Sequence, residues 1–208
     1  MSTKGIPLKI RLFDFFKGRS TYSFLKEFKE TLQFSKTDLE KYRIHKLKKL
    51  LIHAEQNVPF YKKRFAEARF TASKFDAYSN MEDVPPLTRT DLQTRWESLI
   101  SLKHDRKKLS KGSSSGSTGF PVVYYKDNLA TSAGQAAHYL GWSFAGWNFK
   151  MKGLHIWGNP STVNNEWQKF SSKIKARLFK HHKFPAYKLT EGQMFDQLYI
   201  ILQNGSYD

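Results

Sequence analysis

Between Lys111 and Tyr125 the chain reads KGSSSGSTGFPVVYY. Hydroxyl side chains and glycines crowd together, then stop at a proline followed by strand-forming residues. Three chemistries fit such a stretch. Gly112-Ser113-Ser114-Ser115-Gly116 matches the G-x-S-x-G pattern of a nucleophile elbow, with Ser114 as the nucleophile. By composition alone, the same residues make a flexible linker. Alternatively, successive backbone N–H groups at glycines and small residues turn inward and form an anion nest. Gly116 and Gly119 tolerate positive φ and let the backbone approach a phosphate closely. Ser115, Ser117 and Thr118 add hydroxyl donors.

The flanks weigh these alternatives. An elbow needs an apolar strand before its serine and a helix after it. Here RKKLSK precedes and FPVVYY follows, and Pro121 with two valines opposes a helix. A linker joins self-sufficient halves, whereas GSSSGSTG is eight residues long and runs straight into a strand signal. A Walker loop is excluded, because no Gly-Lys-Ser/Thr occurs and no helix follows to lend its N-terminus. The favoured expectation is a nest in a hairpin between strands, suited to the phosphates of ATP.

Elements must hold that hairpin. Residues 1–36 form a basic, aromatic segment in which Phe13, Phe16, Phe24 and Phe28 recur at loosely helical spacing. One or two short amphipathic helices follow, either packed on the rest of the protein or facing a membrane surface or partner. Thr37 with Glu40 makes a capping-box pattern. Leu39, Tyr42, Leu47, Leu50, Leu51 and Ala54 continue that helix to about Asn57, before Val58-Pro59. PFYKKRFAEARF predicts a second helix. Thr88 with Asp91 predicts a third, burying Leu92, Trp96, Leu99 and Ile100. After the loop, residues 129–148 read as a helix and Gly153–Gly158 as a short strand. SSKIKARLFKHHK reads as a basic helix or extended segment. Thr190 with Gln193 caps a last helix striped by Met194, Phe195, Leu198, Tyr199 and Leu202. The order implies an α/β chain, helical at its N-terminus, with an incomplete sheet.

Composition bounds the function. The chain has 208 residues, 39% hydrophobic and 15% aromatic, enough for one domain or a large part of one. No apolar run approaches the roughly 20 residues that span a bilayer, and no signal-peptide pattern opens the chain. Cysteine is absent, which excludes disulfides, thiolate nucleophiles and cysteine zinc sites and fits a cytoplasmic location. The formal net charge of +17 attracts polyanions without choosing among them. The basic tracts Lys103–Lys111 and Lys173–Lys183 therefore support a rival class, a module binding nucleic acid or an anionic membrane surface. No nucleic-acid-binding motif accompanies them. His181-His182 lack a carboxylate at ligand spacing, so no metal is predicted there. His138 and His155 stand where they could line a nucleotide cleft, although packing roles are simpler. Trp142, Trp147 and Trp157 read as core.

Ser114-Ser115-Gly116-Ser117-Thr118-Gly119-Phe120-Pro121 closely resembles the phosphate loop of adenylate-forming enzymes. Phe120, where many members carry lysine, is similar to the phenylacetate–CoA ligase and CapK-like branch. NVPFYKKRFAEA, VPPLTRTDLQ and the GW…GLHIWG stretch resemble segments of the same branch in the same order, over about residues 40–203. The resemblance implies a ligase: ATP and a carboxylic acid give an acyl adenylate, then a thiol, usually CoA, takes the acyl group. It implies that Ser115, Gly116, Ser117, Thr118 and Gly119 hold the ATP phosphates, with Lys126 as an extra contact. It also implies Mg²⁺ and, through the CapK-like members, a role in capsular or surface polysaccharide synthesis. The family's acyl pocket, adenine and ribose sites, Mg²⁺-associated acid and mobile C-terminal domain have no counterpart in these residues. The expectation is that residues 37–208 are a truncated AMP-binding domain, inactive alone.

Overall fold

A computed structural model of the chain describes residues 7–114, 121–157, 181–185 and 190–203. The chain divides into two compact units, residues 19–137 and residues 1–18 with 138–208.

The first unit is mostly helical. Helix α2 (Thr21–Thr31) buries Thr21 and Leu25. Its start is fixed by Ser132, whose Oγ accepts from the Ser20 N–H at 3.0 Å and donates to the Asn128 carbonyl at 2.6 Å. Helix α3 (Lys36–Asn57) begins two residues earlier than the Thr37 capping pattern predicts. Ser35 is the cap, accepting from the Asp38 N–H at 3.1 Å while its hydroxyl donates to the Asp38 carboxylate. Tyr42 of α3 donates to Glu27 of α2, and Lys46 forms an ion pair with the same carboxylate. The Lys46 and Tyr42 hydrogen bonds together lower the Glu27 pKa. Asn57 closes α3 as predicted, because Pro59 forces Val58 into extended geometry and then serves as the first residue of α4 (Pro59–Glu67).

Helix α4 ends in a Schellman motif. The Phe70 N–H bonds the Phe65 carbonyl and the Arg69 N–H bonds the Ala66 carbonyl, with Arg69 at φ 53°. The Phe65 and Phe70 rings meet edge to face, 4.8 Å apart. Phe65 thereby joins Leu51, Ala54, Ala72 and Phe75 in the core of this unit. Helix α5 (Arg89–Thr94) has the predicted Thr88 cap but stops short of Ile100. Residues 96–100 instead coil in i−3 turns, because their backbone is used elsewhere: the Phe60 N–H takes the Ser98 carbonyl and the Leu102 N–H takes the Asn57 carbonyl. Strands β1 (Ser110–Ser113) and β2 (Val123–Lys126) then pair antiparallel, Ser110 opposite Lys126 and Ser113 opposite Val123.

In the second unit, helix α1 (Leu8–Phe16) precedes Gly18. Helix α6 (Asn128–Phe144) starts in the first unit and ends in the second. It stops before the predicted residue 148 at another Schellman motif, with Gly146 at φ +85° and the Trp147 N–H on the Trp142 carbonyl. Around it Tyr139 packs flat on Trp147 at 5.6 Å and edge-on to Phe149 at 4.8 Å. Trp142 and Trp147 meet edge to face at 5.3 Å but are half-buried rather than core, and His138 stacks on Trp142 at 6.0 Å. Strand β3 (Gly153–Trp157), which holds His155, pairs parallel with β4 (His181–Pro185). His181 and His182 thus lie on a strand, the extended alternative. Helix α7 (Glu191–Gln203) has the predicted Thr190–Gln193 box, at 3.1 and 3.4 Å. Its stripe, Met194, Phe195, Leu198, Tyr199 and Leu202, is exposed. A helical start followed by a short antiparallel hairpin and a parallel pair is part of an α/β architecture.

Candidate functional site

The strands on either side of the serine-glycine stretch pair as an antiparallel stem. Beyond the last ladder pair, the Ser114 N–H donates to the Val122 carbonyl at 2.9 Å. The Val122 N–H donates to Ser114 Oγ at 2.8 Å. Ser114 is therefore a clasp across the neck. Strand β2 follows it, not a helix, which removes the elbow. The paired stem removes the free linker. The predicted phosphate ligands Ser115, Gly116, Ser117, Thr118 and Gly119 lie outside the described residues. Lys126 sits at the opposite end of β2 from the tip, paired with Ser110, its Nζ 4.9 Å from the Tyr124 ring centroid. The stem thus separates Lys126 from the neck by about 13 Å of strand.

Gly112 has a steric reason to be glycine. It pairs with Tyr124, whose ring lies across it; a Cβ there would stand 2.5 Å from the ring. Along one side of the stem runs an open groove of about 610 Å³, lined by Leu92, Gln93, Trp96, Arg106, Lys111, Pro121, Val123 and Tyr125. Trp96 and Tyr125 stack at 5.9 Å with 22° between their planes. The Arg106 guanidinium lies 4.4 Å from the Trp96 centroid and reaches Glu97 at 3.5 Å. Sequence reasoning placed Trp96 in a helical stripe and Arg106 in an undifferentiated basic tract. Trp96 follows the end of α5 at Thr94, and Arg106 opens a separate turn capped by Asp105.

A second cavity of about 300 Å³ includes Leu99, Ile100, His104, Leu109, Asp127 and Ala130. His104 Nε2 stands 3.6 Å from Asp127 Oδ2. Asp127 also caps α6, accepting from the Ala130 N–H at 2.7 Å.

Helix α5, which supplies Leu92 and Gln93 to the groove, is fixed by Asp91. One carboxylate oxygen accepts from Thr88 Oγ1 at 2.6 Å, from Arg64 at 2.7 Å and from the Thr88 N–H at 3.1 Å. The Thr88 hydroxyl, then Arg64, hold its pKa down to about 2. Among the described residues, no group of three or more His, Cys, Asp or Glu side chains comes together to cage a metal ion. Mg²⁺ bound mainly through nucleotide phosphates needs no such cage.

This architecture is similar to part of a larger fold seen in solved structures. Two solved structures of 2-hydroxyisobutyryl-CoA ligase share it. One holds 2-HIB-AMP and CoA in the thioesterification state, with a TM-score of 0.55 and 16% identity. The other holds R3-HIB-AMP in the postadenylation state, with a TM-score of 0.57 and 15% identity. Each match covers 82% of this chain and 36% of the ligase, so the chain spans about a third of that enzyme's length. No protein-family model and no curated protein sequence matches.

Proposed function

We propose that this chain is the phosphate-holding part of an ATP-dependent carboxylate–CoA ligase, with Ser115, Gly116, Ser117, Thr118 and Gly119 as the ATP phosphate ligands. The observation that carries this reading is the hairpin neck. Ser114 and Val122 clamp a short Gly/Ser/Thr tip on a paired stem, within a fold shared with an adenylate-forming CoA ligase. In this reading the backbone N–H groups and hydroxyls of residues 115–119 bind the phosphates together. When the acid attacks ATP, charge builds on the departing pyrophosphate, and donors already in place stabilise it without reorganisation. Mg²⁺, bound through the phosphates, would share that charge. The Phe120-Pro121 ending favours the phenylacetate–CoA ligase and CapK-like branch, and with it a surface-polysaccharide role.

The binding test is equilibrium titration with Mg·ATP. Gly116→Val and Thr118→Ala should weaken ATP binding roughly tenfold or more, about 1.4 kcal/mol. A polyanion-binding module would instead ignore both substitutions and lose ATP steeply with salt.

A further inference from the structure

We propose that α1 is an interfacial helix that docks the protein on an anionic membrane surface, a role independent of the phosphate loop. Leu8, Leu12, Phe15 and Phe16 follow one another at helical spacing and share a face. They are 69%, 47%, 75% and 81% exposed, while Ile10 and Asp14, on the opposite face, are buried. The helix is therefore held by one side and shows an apolar stripe on the other. The Phe15 and Phe16 rings lie edge to face at 5.9 Å, which makes the stripe a contiguous patch. Single exposed apolar residues are ordinary; four on one helix of nine residues mark a contact surface.

Charge identifies the occupant. The first twenty residues carry Lys4, Lys9, Arg11, Lys17 and Arg19 against Asp14, and Asp14 is buried. Two copies of a chain with a net charge of +17 repel each other, which disfavours a second copy on this face. An anionic bilayer satisfies both features: it takes the apolar stripe into the headgroup boundary and attracts a segment whose sequence is basic. A helix this short is a weak apolar anchor, so the lipid charge is the required second signal.

The test is co-sedimentation of the full chain with vesicles of phosphatidylcholine alone or with about 30% phosphatidylserine. Binding should require phosphatidylserine and weaken with salt. Phe15→Ser/Phe16→Ser should reduce it roughly tenfold, and Phe16→Ser alone should give an intermediate loss. Both side chains are exposed, so circular dichroism and melting should stay unchanged. Leu102→Ser, 77% exposed in the first unit, should leave lipid binding intact. Absence of binding to phosphatidylserine vesicles would overturn the proposal. Equal binding by the double variant would overturn it too, assigning the attraction to the other basic tracts. So would dimers in sedimentation velocity that need Phe15 and Phe16 while lipid binding does not.

Discussion

Asp91 concentrates three hydrogen bonds on one carboxylate oxygen, and this has a pH consequence. Its pKa falls from 3.8 to about 2 on folding. A depressed carboxylate contributes stability that is fully present above 3.8 and is lost as pH falls through about 2. Urea melts in that interval should show an acid limb, and Asp91→Asn should flatten it while lowering stability at neutral pH. Half of this constellation was legible: Thr88 and Asp91 stand at capping-box spacing. Arg64, 27 residues away, carried no local signal. Arg69 is a second residue whose backbone has a measurable cost. It holds the C′ position of α4 at φ 53°, where α6 uses Gly146. Arg69→Gly should therefore raise stability by about 1 kcal/mol in urea unfolding. Unchanged or lower stability would mean that the left-handed backbone at Arg69 is not a net cost.

Helix starts were easier to read than helix ends. Thr88, Thr190 and the Val58-Pro59 junction are local chemistry, and each acts where the sequence pattern put it. The start of α3 was misplaced because Ser35-Asp38 and Thr37-Glu40 offer overlapping caps, and Ser35 engages first. The ends of α5 and α6 depend on the Phe60–Ser98 bond and on an αL glycine, and neither shows in an apolar stripe. Strand β1 was legible only as the partner that a hairpin requires, not from its own residues. Ser110-Lys111-Gly112-Ser113 has little β-propensity, and pairing with Val123–Lys126 imposes the strand. Helix α5 has only six residues and cannot sustain itself, so its cap matters more than in a long helix. Thr88→Ala should cost about 1 kcal/mol in urea unfolding, and Thr88→Ser should recover most of it. Equal stability of the alanine variant would show that packing alone holds α5.

For the whole molecule, the α/β order and the hairpin setting of the loop could be read from the sequence. The groove beside the stem could not, because Trp96, Arg106 and Tyr125 come from three separate segments. The shared fold with 2-hydroxyisobutyryl-CoA ligase fits the adenylate-forming resemblance, while the phosphate ligands themselves are proposed from the tip's composition and its clamped neck. The central claim is thus a claim about residues 115–119. Its most direct measurement is a titration of isotope-labelled protein with Mg·ATP, following backbone amide resonances. Saturable shifts concentrated at Ser115, Gly116, Ser117, Thr118 and Gly119 and surviving physiological salt are the predicted result. Shifts spread over Lys103–Lys111 and Lys173–Lys183, vanishing with salt and sparing the tip, would contradict it.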